Sequence, residues 1–126
     1  MVCSAFPARS AGRSGQSFAL ALAAMGAKIV YTGTSELRTP EIVHEKLKAM
    51  GANFEEHFDL TQKQNEELYA DSNVDLIYLP GCSVRKDDPN RVDFEKKMAN
   101  YYVSLEMLKN IKAKTGKTVG VHHSLP

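Results

Sequence analysis

Residues 19–33, ALALAAMGAKIVYTG, join two kinds of secondary structure at a single glycine. The first half is rich in Ala and Leu, which is typical of a helix, and Gly26 marks its end. The second half is a β-branched run that predicts a strand ending at Gly33. A short apolar run at 2–6, VCSAF, is separated from this stretch by Pro7 and further turn residues. The chain is therefore predicted to begin with a strand, a loop, a helix and a second strand.

The alternation of helix and strand continues along the chain. Residues 39–51 predict a helix with Thr39 as its N-cap and Gly51 as its C-cap. A later helix is predicted between Ser104 as N-cap and Gly116, and the charged stretch 85–97 is predicted as part loop and part helix. The other predicted elements are a third strand at 52–58, a helix over about 61–70, a fourth strand at 74–80 and a fifth at 118–123.

Five strands that alternate with helices predict one α/β domain with a parallel sheet, because parallel neighbours need crossover connections. The helices are expected to cover both faces of that sheet. A chain of 126 residues is long enough for one hydrophobic core but too short for two domains. Sheets of this kind bind ligands outside the carboxyl ends of their strands, where strand order reverses. The candidate site is therefore sought in the loops that follow the predicted strands: 7–13, 33–35, 57–59, 81–86 and 122–126.

Composition argues against several classes of partner. The chain has 16 Lys and Arg against 15 Asp and Glu, mixed along its length, which does not favour nucleic acid or an acidic membrane surface. Its two cysteines, Cys3 and Cys82, form no zinc-binding pattern and are expected to be reduced thiols. The longest apolar stretch, 18–25, is far shorter than the roughly 20 residues of a membrane span. We therefore expect a soluble cytoplasmic protein with neither nucleic acid nor a membrane as its partner.

Residues 19–33 taken alone also resemble the first helix and second strand of a short-chain dehydrogenase. A dinucleotide-binding loop needs glycines where the backbone approaches the pyrophosphate. If Gly15 is the last glycine of that pattern, Arg9 and Arg13 occupy the two earlier positions, and the chain has no Tyr-x-x-x-Lys pair. A nicotinamide-binding oxidoreductase domain is therefore only the third interpretation of the chain.

Four segments resemble the second domain of aspartate and ornithine carbamoyltransferases. GRSGQSFALAL at 12–22 resembles the family's Gly-Arg-x-x-x-Ser-x-Ala-x-Ala-Leu segment, and VDLIYLP at 74–80 resembles its strand DILYMT. YYVSLEMLKNIK at 101–112 resembles its Y-x-V-T-x-E-L-L-x-x-A helix, and VHHSLP at 121–126 resembles its MHPLPR loop. The four segments follow the family's order and extend over nearly the whole chain, and the resemblance is greatest to the aspartate enzymes.

The resemblance implies a Rossmann-like five-stranded parallel sheet of order 3-2-1-4-5, with residues 1–126 forming the aspartate/ornithine-binding domain. It implies transfer of the carbamoyl group of carbamoyl phosphate to the amine of an aspartate-like amino acid, with no cofactor or metal. Carbamoyl phosphate would bind to a separate domain, absent from this chain, in a homotrimeric enzyme. We therefore expect no catalytic residue in the chain and no activity from the chain alone.

The same resemblance implies a set of substrate-binding residues. Arg13 is expected to hold the substrate carboxylate, because a guanidinium can pair with a carboxylate through two parallel hydrogen bonds. His123, Leu125 and Pro126 are expected to line the site. Backbone carbonyls near Leu125 would accept hydrogen bonds from the nitrogens of the substrates.

The loop after the fourth strand departs from the family pattern. Aspartate enzymes have an arginine there, and this chain has Gly81. Arg85 or Lys86 is expected to supply the missing cation from further along the same loop. Gly81 and Ser83 also favour an alternative function, a non-catalytic binding or interaction module that keeps the same fold.

Overall fold

The computed structural model describes residues 2–5, 13–35, 39–79 and 87–123, and strands alternate with helices along them. The strands are β1 (Val2–Ala5), β2 (Lys28–Gly33), β3 (Phe54–Phe58), β4 (Leu76–Leu79) and β5 (Gly120–His123). The helices are α1 (Arg13–Ala24), α2 (Glu41–Ala49), α3 (Gln62–Asp71), α4 (Arg91–Met98) and α5 (Leu105–Thr115), with a 3-10 turn at Ala99–Tyr101. The predicted α/β class is therefore confirmed.

The strands pair in two parallel sets. β2 lies between β1 and β3, and β4 pairs with β5 so that Tyr78 lies opposite His122. β1 and β4 contact each other, but no ladder of hydrogen bonds joins them within the described ranges. The pairings 3-2-1 and 4-5 agree with the predicted order, and the junction between β1 and β4 stays a prediction.

Helices pack on both sides of the strands and form two hydrophobic clusters. Successive residues of β4 point to opposite clusters, as the period of two in a strand requires. Tyr78 packs with α1 and α2, and Ile77 packs with α3 and α5. The first cluster is made by the buried residues Ala19, Leu22, Ala27, Ile29, Tyr31, Val43, Leu47 and Tyr78. The second is made by Tyr69, Ala70, Val74, Ile77, Met107, Ile111 and Val119.

Local signals fix the ends of α3 and α5. The Thr61 hydroxyl accepts a hydrogen bond from the Gln64 backbone N–H at 3.2 Å, and the Gln64 side chain accepts one from the Thr61 N–H at 2.9 Å, which completes a capping box. The Ser104 hydroxyl caps α5 through the Met107 N–H at 3.1 Å. Gly116 ends α5 with a left-handed φ of 73°, a conformation that favours glycine. The N-cap and terminal glycine predicted for α5 are thus confirmed.

The start of α2 differs from the prediction. Pro40, not Thr39, is the N-cap residue, and the cap makes no side-chain hydrogen bond. Thr39 is only 4% exposed and its side chain faces Tyr31, so it is turned into the core and away from the helix end. Burial and the negative charge of Glu56 raise the pKa of Tyr31 above its usual range, and Thr39 opposes that shift.

The other end of α2 falls one residue from the predicted cap. Met50 is the C-cap, and Gly51 follows it with a left-handed φ of 68°. In the charged stretch, the described part is helical from Arg91. Within the described ranges, no helix has both the length and the apolar character needed to cross a membrane.

Candidate functional site

Only two of the predicted substrate-binding residues, Arg13 and His123, belong to the part of the chain that the structure describes. Arg13 is the first residue of α1, and His123 is the last residue of β5. Arg85 and Lys86 lie outside the described residues, and so do Leu125 and Pro126. The roles assigned to these side chains therefore stay predictions. The described parts of α1, β4 and β5 form the framework from which these side chains would extend.

Three aromatic rings connect α1, β4 and β5. Phe18 of α1 lies 4.5 Å from Tyr78 of β4 between ring centroids, and Tyr78 lies 5.8 Å from His122 of β5. The rings of Phe18 and His122 are 6.2 Å apart with an interplanar angle of 19°. Tyr78 and His122 each stand one residue before the carboxyl end of their strand. We call these three residues the aromatic triad.

The aromatic triad sets how α1 meets β4 and β5. Phe18 follows Arg13 by five positions, about 7.5 Å along the helix axis. The start of α1 is therefore held near the carboxyl ends of β4 and β5. Sequence reasoning considered His122 only as the neighbour of His123. The signal that could have found it is the pairing of the fourth and fifth strands, which puts two aromatic side chains side by side.

A polar cavity lies at the carboxyl ends of β2 and β3. Its volume is about 200 Å³, and its lining residues are Thr34, Asp59, Lys97, Asn100 and Tyr101. Thr34 follows β2 and Asp59 follows β3, so both belong to loops that sequence reasoning had selected. The other three come from the end of α4 and the 3-10 turn, and sequence reasoning missed them. We call this space the β2–β3 cavity.

A buried amide fixes the 3-10 turn over these strands. Asn65 of α3 is fully buried, and its Oδ1 accepts a hydrogen bond of 2.6 Å from the Thr32 hydroxyl of β2. Its Nδ2 donates to the Asn100 carbonyl at 2.9 Å. Asn65 thus ties β2 to the turn that forms one wall of the β2–β3 cavity.

The two histidines outside the family loop lie beside carboxylates. The His44 ring lies between Glu41 Oε2 at 3.5 Å and Glu56 Oε2 at 3.2 Å, and it stacks on Phe54. His57 Nε2 lies 3.4 Å from a Glu55 oxygen. In the part of the chain that the structure describes, no group of three or more His, Cys, Asp or Glu side chains is arranged to hold a metal ion.

Comparison with known protein sequences finds carbamoyltransferases. The chain is 41% identical over 115 residues to the ureidoglycine carbamoyltransferase of Rubrobacter xylanophilus, which covers 90% of this chain and 33% of that protein. It is 37% identical over 97 residues to the aspartate carbamoyltransferase catalytic subunit of Methanopyrus kandleri, covering 77% of this chain and 29% of that protein. The chain thus spans about a third of the length of these relatives. No family model matches it.

Comparison with solved structures finds the same kind of protein. The catalytic subunit of M. jannaschii aspartate transcarbamoylase matches with a TM-score of 0.72 and 26% identity, over 99% of this chain and 37% of that one. The anabolic ornithine carbamoyltransferase of Campylobacter jejuni matches with a TM-score of 0.67 and 14% identity, over 99% of this chain and 39% of that one. The second match supports the fold alone.

Proposed function

Because the chain belongs to the carbamoyltransferase family, we propose that residues 1–126 form the domain that binds the amine substrate of such an enzyme. Carbamoyl phosphate would bind to a part of the enzyme outside this chain. The complete enzyme would assemble as a homotrimer in the cytoplasm. Neither a cofactor nor a metal is needed for the reaction proposed below.

The reaction joins the substrate amine to the carbonyl carbon of carbamoyl phosphate. The nitrogen lone pair forms the new C–N bond, the C–O bond to phosphate breaks with its electron pair, and the amine loses a proton. The domain proposed here would contribute by holding the carboxylate of the substrate so that its deprotonated amine points at the carbonyl carbon. Holding two reactants in this way replaces a bimolecular encounter with a positioned reaction.

Arg13 is the proposed carboxylate-binding residue, and the aromatic triad is the observation that supports this proposal. The triad anchors α1, which begins at Arg13, to the carboxyl ends of β4 and β5. The loop of His123, Leu125 and Pro126 leaves β5 at that end, and the loop of Arg85 and Lys86 leaves β4 there. A carboxylate held by Arg13 is therefore proposed to bind near the carboxyl ends of β4 and β5, from which the chain continues toward Arg85 and Lys86 and toward Leu125 and Pro126.

The proposed substrate is an aspartate-like amino acid, which carries a carboxylate beside its amine. Ureidoglycine is a second candidate, since the R. xylanophilus relative is named for it. Ureidoglycine has one carboxylate and an uncharged ureido group, so it needs one cation fewer than aspartate. Gly81, which replaces the family's arginine, favours that candidate.

Binding measurements on the chain test the proposal. We expect aspartate or freshly prepared ureidoglycine to shift backbone amide resonances at the start of α1 and the end of β5 in a saturable way. Arg13→Gln should weaken binding at least about tenfold, because a charge-assisted hydrogen bond to the carboxylate is lost. Arg91→Gln is the control, because Arg91 is a similarly charged residue engaged with Glu95 on α4.

Three results would contradict the proposal. Absence of binding by either compound would favour the non-catalytic module. Equal weakening by Arg13→Gln and Arg91→Gln would remove the role of Arg13. Saturable binding of a nicotinamide dinucleotide in place of the amino acids would favour the oxidoreductase interpretation.

A further inference from the structure

We propose that Met25 and Met50, called here the methionine pair, form a reversible oxidation site, which a peroxide converts to methionine sulfoxide while the fold is retained. The two residues follow α1 and α2, where the chain turns into β2 and β3. They therefore lie toward the amino ends of these strands, whereas the proposed substrate site lies at the carboxyl ends of strands. The local geometry, exposure and packing of the two side chains support this assignment.

The methionine pair occupies equivalent positions in two matching helix ends. Residues 24–27 and 49–52 both have the sequence Ala-Met-Gly-Ala. In each, the glycine after the methionine has a left-handed φ, of 84° at Gly26 and 68° at Gly51. Its amide donates to the carbonyl three residues earlier, and the next alanine amide donates to the carbonyl five residues earlier, all at 3.0 Å. This Schellman pattern ends the helix through backbone groups and does not use the methionine side chain.

The pairing of β2 with β3 brings the two helix ends together. Ile29 lies opposite Phe54, and the Ile29 N–H donates to the Asn53 carbonyl at 2.9 Å. Met25 is four residues before Ile29, and Met50 is four residues before Phe54. The helices α1 and α2 also contact each other and pack in the same hydrophobic cluster. The two methionines are therefore neighbours on one surface, separated by about the 8–10 Å between packed helices.

The methionine pair is exposed, whereas Met107 is buried. Met25 and Met50 are 74% and 44% exposed, and Met107 is 4% exposed within the second hydrophobic cluster. Neither member of the pair is among the described residues of the first cluster, although α1 and α2 both contribute to it. A peroxide in solution can therefore contact the sulfur atoms of the pair directly. Contact with the sulfur of Met107 needs a local opening of the core.

The oxidation step needs only a peroxide as co-reactant. The thioether sulfur attacks one peroxide oxygen, an S–O bond forms as the O–O bond breaks, and a proton moves to the departing oxygen, which leaves as water or an alcohol. The sulfur loses one electron pair, and the peroxide is reduced by that pair. The product is a polar sulfoxide, which solvent can hydrate at an exposed position. Methionine sulfoxide reductases reverse this step, so the modification is reversible.

Treatment of the chain with hydrogen peroxide, followed by peptide mass spectrometry, tests this site. The peptides of Met25 and Met50 should each gain one oxygen atom at least about tenfold faster than the peptide of Met107, because burial protects Met107. The circular dichroism spectrum should stay native while the methionine pair is oxidised. Incubation with methionine sulfoxide reductases and a thiol reductant should then remove both oxygen atoms.

Leucine variants assign the effect to the methionine pair. The chain should elute earlier from a hydrophobic-interaction column after oxidation, and the double variant Met25→Leu, Met50→Leu should lose most of that shift, since leucine has a similar size but no sulfur. Met107→Leu is the matched control and should keep the shift. Oxidation of Met107 as fast as that of the pair would overturn the proposal. An equal shift in the double variant, loss of the native spectrum on oxidation or failure of the reductases would also overturn it.

Discussion

Asn65 shows how much one buried amide can organise in this fold. It accepts from Thr32 on β2 and donates to the Asn100 carbonyl in the 3-10 turn, and it is fully removed from solvent. A buried amide is stabilising only when its partners satisfy it, since unpaired polar groups in an interior are costly. Asn65 meets that condition with one partner on the sheet and one on the turn.

Replacing Asn65 should therefore destabilise the protein strongly. Asn65→Leu keeps a similar volume but leaves the Thr32 hydroxyl and the Asn100 carbonyl without their partner. We expect the free energy of unfolding to fall by about 2–4 kcal/mol, because the buried Thr32 hydroxyl and the part-buried Asn100 carbonyl both lose their partner. Urea denaturation followed by circular dichroism measures this change.

Asn110→Leu is the matched control for that experiment. Asn110 also donates from its side-chain amide, to Glu66 at 3.1 Å, but this pair is exposed on the surface of α3 and α5. Its replacement should cost less than about 0.5 kcal/mol. If the two variants lost the same free energy of unfolding, the hydrogen bonds of Asn65 would contribute no more to stability than an exposed pair does.

At the scale of elements, the capping box of α3 should stabilise the helix. Thr61→Ala removes the hydroxyl that accepts from the Gln64 N–H. We expect the free energy of unfolding to fall by about 1 kcal/mol, which thermal or urea denaturation can measure. Thr118→Ala, an exposed threonine outside the helices, should change it by less than about 0.5 kcal/mol, and a similar loss there would contradict the capping role.

Comparison of Thr61 with Thr39 shows what a sequence can predict about a helix start. Both threonines precede a helix-like pattern, and only Thr61 acts as a cap. Thr61 is followed by Gln64 at capping-box spacing, which is a local signal. Thr39 is instead buried beside Tyr31, and that orientation comes from packing of the core and not from the helix pattern that follows it. The sequence was therefore sufficient to predict that α2 is a helix, but not to predict which residue caps its start.

The aromatic triad should hold α1 to β4 and β5. Phe18→Ala removes both ring contacts made by Phe18, and we expect a loss of about 2 kcal/mol in the free energy of unfolding. The ring-proton resonances of His122 should shift at the same time, since a stacked ring current disappears. Nuclear magnetic resonance and urea denaturation measure the two effects.

Leu20→Ala separates packing from the triad. Leu20 is a partly buried residue of α1 that packs on the same cluster but is not one of the three rings. The Leu20→Ala substitution should lower the free energy of unfolding, but it should shift the His122 ring-proton resonances less than Phe18→Ala does. Identical spectral changes in both variants would indicate a general loosening of α1 and would remove the specific role of Phe18.

The candidate sites differ in how far sequence could predict them. The proposed Arg13 site rests on short motifs, so its residues can be named from the sequence. The β2–β3 cavity is assembled from four segments, and Thr34 and Tyr101 are 67 positions apart. Lys97 lies in a mixed-charge stretch that has no local sign of a site. Only the tertiary packing of α4 and the 3-10 turn brings such residues together.

For the molecule as a whole, each hydrophobic cluster contains one buried tyrosine whose pKa is raised. Burial and the charge of Glu56 raise the pKa of Tyr31, and burial followed by the influence of Tyr101 raises that of Tyr69. Below pH 10 both phenols are protonated in the folded and unfolded states, so they give no pH dependence. Above pH 10 the unfolded chain loses these protons first, and stability falls as pH rises.

Alkaline unfolding tests this expectation. The free energy of unfolding should decrease above about pH 10 by up to about 1.4 kcal/mol per pH unit for each tyrosine. Tyr31→Phe and Tyr69→Phe should each remove about half of that slope in urea denaturation at a series of pH values. Tyr102→Phe is the control, since Tyr102 is 66% exposed, and an unchanged slope in the first two variants would contradict the assignment.

β4 places successive side chains in different clusters, with Ile77 on one side and Tyr78 on the other. Disruption of either cluster removes the packing contacts on one face of β4, and the strand is then held less firmly against the cluster on its other face. The two sets of strands are therefore coupled through β4, because this strand contributes side chains to both clusters. This coupling does not need a hydrogen-bond ladder between β1 and β4, and none is found within the described ranges. Native-state deuterium exchange should show the slowest amides of β2 and β4 opening with the same free energy, so that the chain exchanges as one cooperative unit.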